Sequence, residues 1–384
     1  MRIVQLCPYD LERTGGVANH TRDLSAALAA LGHDVTIIAP RPKSAHQQVS
    51  HLGPGLRIVH VSNGRVFGFN RTSFELTYAN RADRMIISGL MQRPYDLIHY
   101  HTIWTPFLSW QVYRRAHAPA VATFHDMPPE GRTGDLQRWI YPKILRRLIP
   151  RLAGVILPSR AFESYVDLSL APVSRILPPC IDLARFHPGA LPARTFADER
   201  INILSLCRLE PRKGLMVLLD AYRQLCERGL PVRLLLAGDG PDRASLTQYV
   251  SRNKLPNVVE IGAVRSEDVP GWYAASNIFC APALYGEGFG IVLIEAMASG
   301  KPVVASANAG YRMVLEPETG QLLAPSGDSS ALADQLGQLV TDARLRQSLG
   351  ARATTAAARY DAGKLAPQFV EFYKEALARR KTKS

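Results

Sequence analysis

Two glutamates with seven residues between them, Glu287 and Glu295, lie in "YGEGFGIVLIEAMASG". A glycine-punctuated loop leads there into a short apolar stretch that reads as a helix closed by Gly300. The amides of Gly288, Phe289, Gly290, Ile291 and Val292 then sit at a helix N-terminus, where free N–H groups and the helix dipole suit an anion. Glu295 falls about one helical turn in, where a carboxylate could take the two hydroxyls of a ribose. Glu287 stays in the loop, nearer to a reacting group. Upstream, "CRLEPRKGL" sets Arg208 and Lys213 five positions apart after an apolar strand. Two cations at a strand's C-terminal end could neutralise a diphosphate leaving group, and a solvated basic loop is the plainer alternative. Arg212 reads as the surface member of that loop. "CPYDLERTGGVANHTRDL" places Gly15 and Gly16 just before a helix, where backbone can approach phosphate. It lacks G-x-G-x-x-G, which argues against NAD binding. His125 of "TFHD" follows another strand, and a histidine there is more often structural than functional.

The elements that must position these residues alternate. "RIVQLC", "DVTIIAP", "LRIVHV", "YDLIHYH", "AVATFH" and "GVILPS" are short apolar runs separated by helical patterns. The rhythm restarts with "INILSLC", "VRLLLAG", "VVEIGAV", "IFCAP" and "PVVAS". Apolar strands alternating with amphipathic helices indicate buried parallel sheets, and two such series imply two Rossmann-like domains. Pro, Gly and polar residues interrupt the periodicity at 188–200. The expected division is therefore 1–187 and 188–359, with a C-terminal helix at about 360–384 packing back on the first domain. Ligands in such a pair are expected in the cleft at the carboxyl ends of both sheets.

Composition narrows the partners. Of 384 residues, 47% are hydrophobic and 21% charged, as in globular proteins, and no apolar run approaches the length that spans a bilayer. The opening "MRIVQLCPYD" reads as a first strand rather than a signal peptide, so a cytoplasmic location is expected. Five scattered cysteines, none in C-x-x-C spacing, indicate reduced thiols and no zinc site. The excess of 46 Lys and Arg over 33 Asp and Glu gives a net charge of +13 and calls for an anionic partner. No nucleic-acid-binding module is visible.

Taken together, Gly15-Gly16, "TFHD", "RLEPRKG", "LAGDGP" and "EGFGIVLIEAMASGKPVVAS" resemble the retaining family 4 glycosyltransferases of the GT-B fold, over nearly the whole chain and in the family's motif order. Within that family, "CPY…GGV", "SNGRV", "VATFH", "EPRKG" and "CAP…FGIVLIEAMA" are similar to the bacterial phosphatidylinositol mannosyltransferases. The resemblance implies two Rossmann-like domains facing each other across a cleft. It also implies hexose transfer from a nucleotide sugar, most simply mannose from GDP-mannose, to a lipid or lipid-linked acceptor in cell-envelope glycolipid or polysaccharide synthesis. His125 matches the histidine that contacts the transferred sugar. Arg208 and Lys213 match the pair on the donor diphosphate. Glu287 matches the carboxylate on the sugar, Glu295 the one on the ribose, and Gly16 the glycine whose amide meets phosphate. Tyr9, Gly15, Gly16, Asn63 and Arg65 fall where acceptor contacts are expected. No cofactor or metal is implied, and no Asp-x-Asp occurs in the chain.

The stretch "RWIYPKILRRLIPRL", residues 138–152, carries five cations and no acid among aromatic and aliphatic residues. It suits an anionic membrane surface, which would place the enzyme peripherally on the inner face of the cytoplasmic membrane, or equally a helix packed on its own sheet. Pro142 and Pro150 are expected to limit any helix there to a short central piece. Alternatives kept open are a UDP-sugar-dependent enzyme of the same fold and a non-catalytic nucleotide-binding protein.

Overall fold

The computed structural model describes residues 1–12, 15–42, 48–69, 72–103, 107–125, 127, 132–315 and 321–381, with backbone alone at 63–69, 72–76, 132–138 and 380–381. The chain divides into two compact units, one of Met1–Phe67, Phe74–Ile181 and Tyr360–Ser384, the other of Gly68–Ser73 and Asp182–Arg359. The division falls after Ile181, ahead of the 187/188 break read from the sequence. Its cause is local: Ile181 donates to Tyr360 O at 3.0 Å and accepts from Ala362 N–H at 2.9 Å, which ties it to the first unit.

The first unit contains strands β1 (Arg2–Leu6), β2 (Asp34–Ala39), β3 (Val49–Gly53), β4 (Leu56–His60), most of β5 (Asn63–Phe69) and of β6 (Thr72–Tyr78), β7 (Leu97–His101), β8 (Ala120–Thr123), β9 (Gly154–Leu157) and β10 (Ser174–Ile176). Eight of them form one sheet in the order β10-β9-β8-β7-β1-β2-β4-β3, parallel except that β3 runs antiparallel to β4. β5 and β6 form a separate two-stranded sheet. The second unit's sheet runs β13-β12-β11-β14-β15-β16, with β11 (Ile201–Leu206), β12 (Val232–Ala237), β13 (Val258–Gly262), β14 (Ile278–Ala281), β15 (Val303–Ser306) and β16 (Leu322–Ala324), all parallel. Strand order reverses at β1/β7 in one sheet and at β11/β14 in the other. A reversal opens a crevice at the strands' carboxyl ends, where ligands of doubly wound sheets bind.

The central strands of both sheets are largely apolar, as strands buried on both faces must be. β12 (VRLLLA) is buried at every position, and each such aliphatic side chain contributes about 1.5–3 kcal/mol. The C-terminal helix, Ala362–Lys381, carries Leu365, Ala366, Phe369, Phe372, Tyr373 and Ala376 at helical spacing. That stripe lies in the same core cluster as Ile3, Leu24, Leu28, Val121 and Ile156 of the first unit.

The prolines of 138–152 do less than the sequence suggested. One helix runs from Arg132 to Leu148 straight through Pro142, followed by a 3-10 turn at Ile149–Arg151. Pro142 forfeits one helical hydrogen bond, and burial of Leu145, Leu148 and Ile149 outweighs that loss.

Candidate functional site

In the second unit, the chain leaves β11 at Leu206 and passes through Arg208 and Glu210 into the turn Pro211–Lys213 before the helix Leu215–Glu227. Gly214 makes that passage in the left-handed region, at φ 67°. A Cβ there would lie 2.0 Å from Pro282 O, so only glycine lets this loop reach the end of β14. Leu284 N–H donates to Arg212 O at 2.8 Å and fastens the two loops together. Residues 208–213 and 287 are thereby brought side by side at the strand-order reversal.

The result is a cluster of three cations and two carboxylates. Glu287 Oε1 accepts from Lys213 Nζ at 2.6 Å and from Arg212 Nη1 at 2.8 Å. Glu210 bridges Arg208 (Oε1–Nη2, 2.6 Å) and Arg212 (Oε2–Nε, 3.2 Å), with its own side chain 1% exposed. Burial alone would raise the Glu287 carboxyl, but Lys213 and Arg212 outweigh it and hold it below the ordinary glutamate value. Burial likewise works against the Arg212 charge, and Glu287 and Glu210 more than restore it. Arg212 is therefore no surface residue: it links both carboxylates. Sequence reasoning missed it, and missed Glu210.

Beyond Glu287, the helix Ile291–Ala298 starts from Gly290 at φ 97° with no side-chain cap. Its first amides, with those of Gly288 and Phe289 in the loop before it, are the donors the sequence pointed to. Glu295 is 2% exposed inside this helix, and its Oε2 lies 3.1 Å from the Tyr273 hydroxyl. Burial, then Glu295, pushes that hydroxyl well above the usual tyrosine range, so it stays protonated and able to donate.

In the first unit, the helix Gly16–Ala30 begins with Gly15 as an extended, uncapped N-cap residue. Tyr9, between β1 and this helix, is half-buried against the core. Asn63 and Arg65 open β5, and their side chains lie outside the described residues. His125, just past β8, sits among three further histidines, His20, His99 and His101. Period-two spacing puts His99 and His101 on one face of β7, with Gln5 the register partner of His99 and Thr123 that of His101. His101 Nδ1 lies 3.0 Å from His125 Nε2, and His101 Nε2 lies 2.8 Å from Gln5 Oε1. Tyr373, from the C-terminal helix, has its hydroxyl 2.8 Å from His99 Nδ1 and 3.3 Å from Gln5 Nε2. The signal for this cluster was "HYH" closing an otherwise apolar strand.

Ring nitrogens of His20, His101 and His125 lie within 4.8 Å of one another, close enough to ask whether they hold a metal ion. The hydrogen bonds answer otherwise. Cys180 N–H donates to His20 Nδ1 at 3.0 Å, which puts the hydrogen of a neutral ring on Nε2, and His101 and His125 already share one between them. The trio is built for hydrogen bonding.

Two doubly wound parallel sheets, each with a polar cluster at its strands' carboxyl ends, are the GT-B architecture of glycosyltransferases. Residues 14–185 match Glycosyltransferase Family 4 and residues 191–356 match Glycosyl transferases group 1. The chain is 32% identical over 375 residues to the phosphatidyl-myo-inositol mannosyltransferase of Mycobacterium leprae, covering 97% of this chain and 96% of that one. It is 29% identical over 410 residues to the D-inositol 3-phosphate glycosyltransferase of Xylanimonas cellulosilytica, covering 99% and 97%. Among solved structures, sucrose-phosphate synthase of Thermosynechococcus elongatus superposes with a TM-score of 0.76 at 23% identity, covering 98% of this chain and all of that one. Anabaena HepE in complex with UDP and glucose does so with 0.72 at 20% identity, covering 97% and 99%. The chain belongs to the family 4 glycosyltransferases of the GT-B fold and is a hexosyltransferase.

Proposed function

We propose that this enzyme transfers mannose from GDP-mannose, with retention, to an inositol lipid or another lipid-linked acceptor in cell-envelope glycolipid or polysaccharide synthesis. The observation that carries the reading is the cluster of Arg208, Glu210, Arg212, Lys213 and Glu287. Three cations against two carboxylates leave one positive charge at a strand-order reversal beside an uncapped helix N-terminus. That combination suits a diphosphate. The anomeric C–O bond to phosphate breaks as the acceptor oxygen bonds to the same carbon from the same face, and the acceptor proton passes to a phosphate oxygen. Arg208, Lys213 and the amides from Gly288 to Val292 stabilise the departing nucleoside diphosphate. Glu287 orients the sugar hydroxyls, Glu295 the ribose, and His125 the transferred sugar; Gly15, Gly16, Tyr9, Asn63 and Arg65 serve the acceptor side. Protein cations fill the charge-balancing role a divalent metal would otherwise take.

The reading extends to peripheral attachment to an anionic membrane, which the 132–148 helix supports. Leu145 and Leu148 pack inward. Trp139 is 63% exposed, with Lys143 Nζ 3.2 Å from its ring centroid, and Ile144, Arg146, Arg147 and Arg151 share the outer surface. An exposed aromatic among cations suits headgroup depth. No described helix is long and apolar enough to cross a membrane. The second reading, a UDP-sugar donor, is favoured by HepE, whose structure holds UDP and glucose. A panel of GDP, UDP, ADP and their sugars, read by thermal shift, decides between them because a native-state ligand raises apparent stability. Stabilisation by UDP-glucose but not GDP-mannose would overturn the mannosyl reading, and no response to any nucleotide would overturn the transferase site. Radiolabel transfer from GDP-mannose to vesicles containing phosphatidylinositol then tests the acceptor.

A further inference from the structure

Two of the histidines around His125, His99 and His101, lie with it in a chain of hydrogen bonds whose direction determines what His125 can offer. Burial pushes His20 down to about 4 and His99 to about 3, and it lowers His101 and His125 well below the ordinary histidine value. All four rings are neutral at pH 7, so each has one donor and one acceptor nitrogen. The bonds can then be followed from one end. Gln5 Oε1 can only accept, so the hydrogen of its 2.8 Å contact with His101 lies on His101 Nε2. His101 Nδ1 is then a lone pair, and the 3.0 Å contact with His125 needs a hydrogen on His125 Nε2. The other face of the amide fits the same order. Gln5 Nε2 donates to the Tyr373 hydroxyl, which donates to His99 Nδ1, and His99 Nε2–H donates to Thr123 Oγ1 at 2.7 Å. Each of these bonds then runs from a donor to an acceptor.

We propose that Gln5 and His101 are positioning residues that hold His125 in the tautomer protonated on Nε2, leaving His125 Nδ1 as an acceptor for a hydroxyl of the bound sugar. Turning the Gln5 amide over would reverse every bond in the chain and convert Nδ1 into a donor. Gln5 thus selects between a site that accepts from a sugar hydroxyl and one that donates to it, and Tyr373 holds the selector in place. The consequence for sugar transfer rests on the function proposed above; the tautomer does not.

The test uses the full chain labelled with 15N-histidine. Long-range 1H–15N correlation spectra distinguish the two tautomers, and His125→Gln assigns the resonance. Wild-type protein should show His125 protonated on Nε2, and Gln5→Leu and Tyr373→Phe should each lose that fixed pattern. Tyr373→Phe decides alone if Gln5→Leu fails to fold. In Tyr373→Phe, kcat should fall about tenfold, the worth of one oriented hydrogen bond, while the Kd for GDP and UDP stays within about twofold. An Nδ1–H tautomer in the wild type, or the Nε2–H tautomer unchanged in both variants, would overturn the proposal. The expected spectra with an unchanged kcat would sink its role in transfer while leaving the donor site untouched.

Discussion

Lowering the pH from 7.5 to 5.0 should strike the first unit selectively. His20 and His99 are buried and neutral, with burial pushing them to about 4 and about 3. Unfolding returns each to about 6.5, so below that pH the unfolded chain binds more protons. Stability from keeping them neutral is fully present above about 6.5 and is lost progressively as pH falls toward 4 and 3. By pH 5 each contributes a loss of about 2 kcal/mol, or about 4 kcal/mol for the pair. His101 and His125 act in the same direction. For a unit of this size, about 4 kcal/mol corresponds to roughly 8–16 °C in Tm. The second unit is the internal control, since Asp182–Arg359 contains one histidine, His187, on the surface. Calorimetry of the whole chain at both pH values should show one transition falling by at least that amount, since His101 and His125 add to it, and the other moving little. Equal shifts, or none, would refute the assignment of four buried neutral rings.

Glu287→Gln removes the carboxylate shared by Lys213 and Arg212. Because Arg212 keeps Glu210, the loss should be about 2 kcal/mol in denaturant titration, below the usual range for a broken buried pair, and turnover should drop about a hundredfold; wild-type values would disqualify the cluster. Gly214→Ala forces a Cβ against Pro282 O at φ 67°, so both unfolding midpoint and nucleoside diphosphate affinity should decline, and an unchanged affinity would uncouple the loop from the site. Arg146→Ser with Arg147→Ser should reduce sedimentation with anionic vesicles, an effect that added salt should mimic in the wild type. Undiminished sedimentation would leave the 132–148 helix a packing element only. Activity should survive EDTA, and its abolition would contradict charge balance by Arg208 and Lys213 alone.

What the sequence revealed depended on how far apart the cooperating residues lie. The parallel sheets were legible because a strand covered on both faces must be largely apolar, as β12 is except for Arg233. Arg208, Lys213 and the two glutamates were legible because each pair is a local spacing on one loop or helix. Arg212 was misread because its partner Glu287 lies 75 positions away, and nothing local distinguishes a bridging arginine from a solvated one. The histidine chain was harder still, since Tyr373 meets His99 across 274 positions. Pro142 misled in the opposite way. A sound local rule on helix breaking was overridden by the burial of Leu145 and Leu148, which only the fold supplies.

The helix that carries Tyr373 also governs the order in which the protein can be made. It follows the second unit in the chain yet completes the first, so the central segment is topologically an insertion. During translation the inserted segment is wholly outside the ribosome, free to fold, before Phe369, Phe372 and Tyr373 emerge. Until they do, the early-made sheet stands with one flank bare and its histidine chain lacking an anchor. The first domain begun is the last one finished.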